Sequence, residues 1–169
     1  NNYHSAQIRG KLAANLGGGM YHWTMPLRQV FSEFYDGYKF SIEGGDFNYA
    51  SINVVTSMTC HIKSGRNLSA IYDEFLEYKT FFEATNDDKI IWEYKLYNNT
   101  INELKGTIGA SEFVDFEKDF VQVLAKNKFN LGYLNVLRSM NHVYFGNFTD
   151  AIKYSGKAAS LLMFFNSSP

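Results

Sequence analysis

The chain has 169 residues, 46% of them hydrophobic, and a formal net charge of −1. That is enough for one domain, or one slice of a longer array, with a sizeable core. The near-neutral balance removes the electrostatic case for nucleic acid or an acidic membrane surface as partner. The longest apolar run, Leu161 to Phe165, is too short to cross a bilayer.

Only 2 prolines occur, which favours long helices. A single cysteine, Cys60, excludes an internal disulfide and suits a reducing compartment; with no signal-peptide pattern, a cytoplasmic protein is expected. The chain lacks an initiator Met and stops at Ser167-Ser168-Pro169, so residues 1–169 are expected to be one helical domain cut from a larger protein.

From the N-terminus, Tyr3, Ala6, Ile8, Leu12, Ala13 and Leu16 carry helical spacing, and Gly17-Gly18-Gly19 is expected to stop that helix in a flexible turn. No Walker-type lysine follows these glycines, so they are not a phosphate cradle. Pro26 suits the first turn of the next helix, striped by Leu27, Val30, Phe31, Phe34, Tyr38 and Ile42. It ends at Gly44-Gly45, and Asp46 caps the following one. There Phe47, Ala50, Val54, Met58 and Ile62 form a stripe, with Tyr49, Ile52 and Val55 as a second apolar edge. A helix wet on so narrow a face is expected to have neighbours on both sides.

Ser64-Gly65 ends it, and Asn67 or Ser69 caps a helix striped by Leu68, Ile71, Phe75, Tyr78 and Phe82. After a polar turn at 85–88, with Asn86, Asp87 or Asp88 as cap, the stripe Ile90, Tyr94, Tyr97, Ile101 and Leu104 runs to Lys105-Gly106. Thr107 to Glu112 reads as a loop, and Phe113, Phe116, Phe120, Val123 and Leu124 stripe a shorter helix closed by Lys126-Asn127-Lys128.

The C-terminal stretch, Asn130 to Leu162, reads as helix, tight turn, helix. Leu131, Leu134, Val136, Met140, Val143 and Tyr144 stripe its first arm; Phe148, Ala151, Ile152, Ser155, Ala158, Ala159 and Leu162 stripe the second. Small residues beside large ones suit an antiparallel pair. The turn Gly146-Asn147-Phe148-x-x-Ala151 matches Gly45-Asp46-Phe47-x-x-Ala50, and these eight residues resemble the middle of a tetratricopeptide repeat. Their glycines lie 101 positions apart (146 − 45), close to three repeats of about 34 residues. The expected fold is all-α: stacked antiparallel hairpins in a tetratricopeptide-like right-handed solenoid. The arms do not alternate cleanly between Phe47 and Phe148, since the helix over 113–125 is one too many: either the middle repeats are degenerate or that helix is an insertion.

No residue set carries catalytic chemistry. His4, His22, His61 and His142 form no metal-ligand spacing, so no metal or cofactor is expected. Cys60 has no paired base and reads as a small buried residue; Trp23 and Trp92 read as packing. Glu43 with Asp46, and Asp87 with Asp88, read as helix caps, and the Asn-x-Ser/Thr triplets at 67, 98, 147 and 166 as chance. Tyr78-Lys79 and Tyr94-Lys95-x-Tyr97 interleave base with aromatic, but the charge balance argues against a nucleic-acid groove.

The ordered run Tyr38-x-x-Ser41-x-Glu43-x-Gly45-Asp46-Phe47-x-Tyr49-Ala50, then Ser64-Gly65-x-Asn67-Leu68, with His22-Trp23 before it and Tyr144-Phe145-Gly146-Asn147-Phe148-x-x-Ala151 after, resembles the helical region of large multidomain sensor kinases. In that family a serine/threonine-kinase-like domain and an AAA-type ATPase precede a tetratricopeptide-like region, and a GAF domain and a histidine kinase follow it. The resemblance implies a regulatory, protein-contacting part with the catalytic domains elsewhere, since no kinase or nucleotide-loop motif stands in this chain. The expected partners are neighbouring domains or a signalling protein. Lys63, Arg66, Tyr72, Lys79, Tyr97 and Arg138 are the candidate surface residues. The alternatives are a stand-alone adaptor and the helical region of an ATPase-switched transcription activator.

Overall fold

The computed structural model describes residues 2–161, and their side chains from Ser5 onward apart from His22. The expectations for Leu162, the run to Phe165 and the triplet at 166–168 lie outside those residues, and those for the side chains of Tyr3, His4 and His22 lie outside the described side chains. The described chain is helical throughout, without strands. It divides into two compact units, one up to Tyr94 and one from Lys95 on, with the division inside a helix.

The first unit holds α1 (Asn2–Leu16), a π-helical turn (Gly17–Tyr21), α2 (His22–Thr24), α3 (Leu27–Glu43), α4 (Phe47–Lys63), α5 (Leu68–Leu76), α6 (Lys79–Ala84) and the start of α7 (Asp88–Lys105). The three glycines do not stop α1. None of them takes the left-handed conformation that ends a helix, and the chain widens into the π turn instead. Gly17 is buried there against Phe34, with no room for a side chain: a Cβ would lie 2.6 Å from the ring. The break comes at Met25, held extended (φ −145°, ψ 157°) ahead of Pro26.

α1 packs on α3 and α4. Its buried side is Ala6, Gly10 and Ala14, continued by Gly17 of the π turn, while Ile8 and Leu12 of the expected stripe face solvent. Small residues win because the helices cross closely. A Cβ on Gly37 of α3 would fall 2.5 Å from Ala13 Cβ. Buried Asn53 of α4 closes the crossing by donating to the carbonyls of Gly10 (3.1 Å) and Tyr49 (2.8 Å).

The long amphipathic stretch after Gly65 is two helices, not one. Glu77 and Tyr78 donate to carbonyls three residues back, which tightens the chain between α5 and α6. That lets the Tyr78 ring meet Tyr38 edge-on at 5.1 Å, while Phe75 and Phe82 pack against Tyr94 at 4.7 and 5.0 Å. Asp87 caps α7 by accepting from the amides of Lys89 and Ile90.

The second unit continues α7 and adds α8 (Ala110–Val123), α9 (Lys128–Tyr144) and α10 (Phe148–Ala159). Ala110 to Glu112, expected as loop, are helical: the Glu112 carboxylate reaches back to accept from the Gly109 amide at 2.6 Å and fixes the start. Asn127 caps α9 rather than closing α8. α9 and α10 form a hairpin, tied where the Ser139 hydroxyl donates to the Ala151 carbonyl at 2.9 Å.

One device ends four helices. Gly45, Gly65, Gly106 and Gly146 have φ between +69° and +72°. Each donates to the carbonyl three residues back, and the next residue donates to the carbonyl five back, a Schellman stop. The helices that follow share a rhythm. α3, the α5–α6 pair, α8 and α10 begin at 27, 68, 110 and 148, and α4, α7 and α9 at 47, 88 and 128. Both series step by about 40 residues, longer than the 34 of a tetratricopeptide repeat. Phe47 begins a helix of the second series and Phe148 one of the first, and their separation of 101 positions (148 − 47) is two and a half such steps.

Candidate functional site

The two turn motifs have the same geometry. Asp46 accepts from the Tyr49 amide and Asn147 from the Asp150 amide, at 3.2 and 3.3 Å. Ala50 and Ala151 are buried at the crossing with the preceding helix. Phe47 and Phe148, expected in the core, are half-exposed and exposed.

Two of the expected surface residues are core. Tyr97 is 2% exposed, and so is Arg138. Arg138 sits on the inner face of α9, where Asn130, Asn135 and Asn141 are also buried, while Val136, Val143 and Tyr144 of the expected stripe face out. Its Nη1 donates to both Glu103 oxygens at 2.8 Å, and its Nε lies 3.4 Å from Glu117 Oε2. The guanidinium lies over the Phe113 ring at 4.3 Å. Asn141 Nδ2 also donates to Glu103, and the Tyr154 hydroxyl donates to Glu117 at 2.9 Å. Burial works against the charged guanidinium, but the bonded Glu103 carboxylate outweighs it and raises the Arg138 pKa. Burial first, then Glu117, raises that of Tyr154; burial first, then Arg138, lowers that of His142. Each charge in this cluster is already paired within it, so it holds helices together rather than presenting a reactive group.

The remaining candidates lie in the first unit. Lys63 is exposed, Tyr72 is partly buried, and Lys79 lies 3.7 Å from Glu83. Arg66 pairs with Glu74, and its Nη1 is 3.2 Å from Nδ1 of buried His61. His61 packs on the Phe31 ring at 3.8 Å and lies 3.3 Å from Glu74. Burial, reinforced by Arg66 and opposed by Glu74, lowers its pKa. Cys60 is buried, and burial raises its pKa, which keeps it a thiol. Trp92 is partly buried; Trp23, expected to pack, is 82% exposed. Among the described residues, no three His, Cys, Asp or Glu side chains are placed to hold a metal ion, and no helix is long and apolar enough to cross a membrane.

What remains is a surface. Ser139 and Val143 of α9, with Phe148, Ala151, Ile152, Ser155, Gly156 and Ala159 of α10, line an open groove of about 490 Å³. None of these side chains is charged, and Ile152 is 73% exposed. In the sequence several of these residues read as packing; in the structure they line an outward face. No family model matches the chain, and no curated protein or solved structure matches it.

Proposed function

We propose that this chain is a helical-repeat region that works by protein contact: the tetratricopeptide-like, right-handed solenoid part of a multidomain signal-transduction kinase. In this reading it couples a partner or ligand on its helical surface to neighbouring ATPase and kinase domains. The observation that carries the reading is the repeated turn motif, Gly45-Asp46-Phe47-x-x-Ala50 and Gly146-Asn147-Phe148-x-x-Ala151, with the same Schellman stop at both glycines and a buried alanine in each. Repeats of this kind act through side chains on a long surface, and the ordered motif series from Tyr38 to Ala151 supplies the resemblance to sensor kinases. The formal net charge of −1 favours protein over nucleic acid as partner.

The test is to sequence the gene on both sides of this chain. Kinase-like and ATPase regions before Asn1, with a GAF or histidine-kinase region after Pro169, are the expected result. Start and stop codons close to both ends would overturn the sensor-kinase assignment and leave a free-standing helical adaptor.

A further inference from the structure

At the end of α4, two basic groups share one carboxylate. Glu74 Oε2 accepts from Arg66 Nη1, and Glu74 Oε1 lies 3.3 Å from His61 Nε2. Arg66 Nη1 is also 3.2 Å from Nδ1 and 3.3 Å from Nε2 of His61. Nearly equal distances to the two nitrogens that flank Cε1 place the guanidinium over the face of the ring, in line with neither nitrogen's lone pair. A guanidinium can rest there on a neutral imidazole, but an imidazolium would repel it at this distance. The two basic residues differ in freedom. The His61 side chain is 3% exposed and sits in the last turn of α4 with the Phe31 ring against it. The Arg66 side chain is 38% exposed, in the turn after Gly65. Its backbone amide is tied to the His61 carbonyl at 3.4 Å, so the side chain can move while the turn stays.

We infer that His61, Arg66 and Glu74 form a proton-driven exchange: when His61 takes up a proton, its imidazolium takes over the Glu74 carboxylate and Arg66 swings out into solvent. With Nε2–H directed at Glu74, the proton from solvent binds Nδ1. The three groups then pass from charge balance to one excess positive charge. Arg66 is the cation that leaves, because its guanidinium regains water outside whereas the buried ring cannot. The charged groups that act on the ring are Glu74 of α5 and Arg66 of the turn; α3 brings the uncharged Phe31 ring, and Lys63 on α4 is exposed. Arg66 and Glu74 line an open cleft with Tyr35, Asp73, Glu77 and Tyr78, so the exchange changes the charged lining of that cleft with pH. This inference goes beyond the protein-contact reading and does not depend on it.

The experiment follows the whole isotope-labelled chain by NMR from about pH 7.5 to about pH 4.5. The His61 ring signals are assigned with His61→Gln and the Arg66 Nε–H signal with Arg66→Gln. Burial, the largest influence on the ring, puts its midpoint below the ordinary 6.5. The Arg66 signal should move with that same midpoint toward the position of a solvated arginine, and in His61→Gln this movement should be lost. Removing the competing cation in Arg66→Gln should raise the His61 midpoint, and removing the carboxylate in Glu74→Gln should lower it. An Arg66 signal that stays fixed while His61 titrates overturns the inference. So does an Arg66 signal that moves equally in His61→Gln, or a His61 ring that takes up no proton before the chain unfolds, as read by circular dichroism. Should His61→Gln fail to fold, Arg66→Gln in its exposed turn decides alone: a His61 midpoint left unmoved by it overturns the inference.

Discussion

α4 and α9 are both 17-residue helices, and both bury apolar and polar side chains, of different kinds. α4 buries Ala50, Val54, Val55, Met58, Cys60 and Ile62, with uncharged Ser51, Asn53 and Ser57 and the His61 ring among them. α9 buries Leu134 and Leu137 beside Asn130, Asn135, Asn141 and the charged Arg138, and leaves Val136 and Val143 outside. Burial of apolar area forgives small changes of position. A buried charge cluster such as that of Arg138 with Glu103 does not. The comparison teaches that an apolar stripe marks the packing face only where the core beneath it is apolar.

The largest expected effect follows from that contrast. Arg138→Leu leaves buried Glu103 and half-buried Glu117 without their cation and should cost about 3–5 kcal/mol, read by urea denaturation. Leu134→Ala, a neighbouring apolar truncation, should cost about 2–5 kcal/mol. The two are separated by rescue. Adding Glu103→Leu to Arg138→Leu should recover part of the loss, whereas adding it to Leu134→Ala should not. If the double variant is no more stable than Arg138→Leu alone, the cluster is not what holds α9.

A second pair sharpens the contrast between closed and open faces. Gly37→Ala puts a methyl 2.5 Å from Ala13 Cβ at the α1–α3 crossing and should cost about 1–3 kcal/mol. Ala151→Trp at the α9–α10 crossing should cost a similar amount, about 1–3 kcal/mol. Gly156→Ala meets nothing within 4 Å on the open face of α10 and should instead stabilise by up to about 1 kcal/mol through helix propensity. Thermal melts of the three variants decide it: a destabilised Gly156→Ala would mean that the face is closed.

The turns should behave alike. Gly45→Ala and Gly146→Ala add no clash, so each should cost only the left-handed backbone penalty of about 1–2 kcal/mol. Unequal losses in denaturant would mean that the two motifs are not the same device.

Helix existence was legible because apolar period, caps and glycine stops agreed along the chain. Asp46, Asn67, Asp87 and Gly45 all do what their residue types suggest. Faces were less legible, because large apolar residues outweigh small ones in any stripe. At α1 the close crossing selects Ala6, Gly10 and Ala14 over Ile8 and Leu12, and at α10 Ala151 and Ala158 over Phe148 and Ile152. Arg138 was unreadable as core because its carboxylates sit 35 and 21 positions away (138 − 103, 138 − 117), beyond any local pattern. A signal did exist: Asn130, Asn135, Arg138 and Asn141 recur at helical spacing, as a buried polar face would. The candidate surface was hidden by the same bias, since its residues read as packing until the neighbours were placed.

The smallest effect is a dependence on pH, and it tests whether two histidines in unlike surroundings share a sign. His61 is buried beside Arg66 and Glu74; His142 is partly buried, with its ring stacked on Tyr154 at 5.4 Å and Arg138 near by. Burial is the main cause of both lowered pKa values, and the neighbouring arginine adds to it in each case. A histidine whose pKa falls on folding binds fewer protons in the folded state than in the unfolded one. Its contribution to stability is therefore fully present above the ordinary value of 6.5, and is lost as pH falls from there towards the folded-state pKa. Melting temperature should drop between pH 7.5 and 5.5, and His61→Gln and His142→Gln should each flatten that drop, His61→Gln more because its ring is the more deeply buried. A drop left intact in His61→Gln would mean that Glu74 offsets both Arg66 and burial, so that protonation at this site costs the folded state nothing.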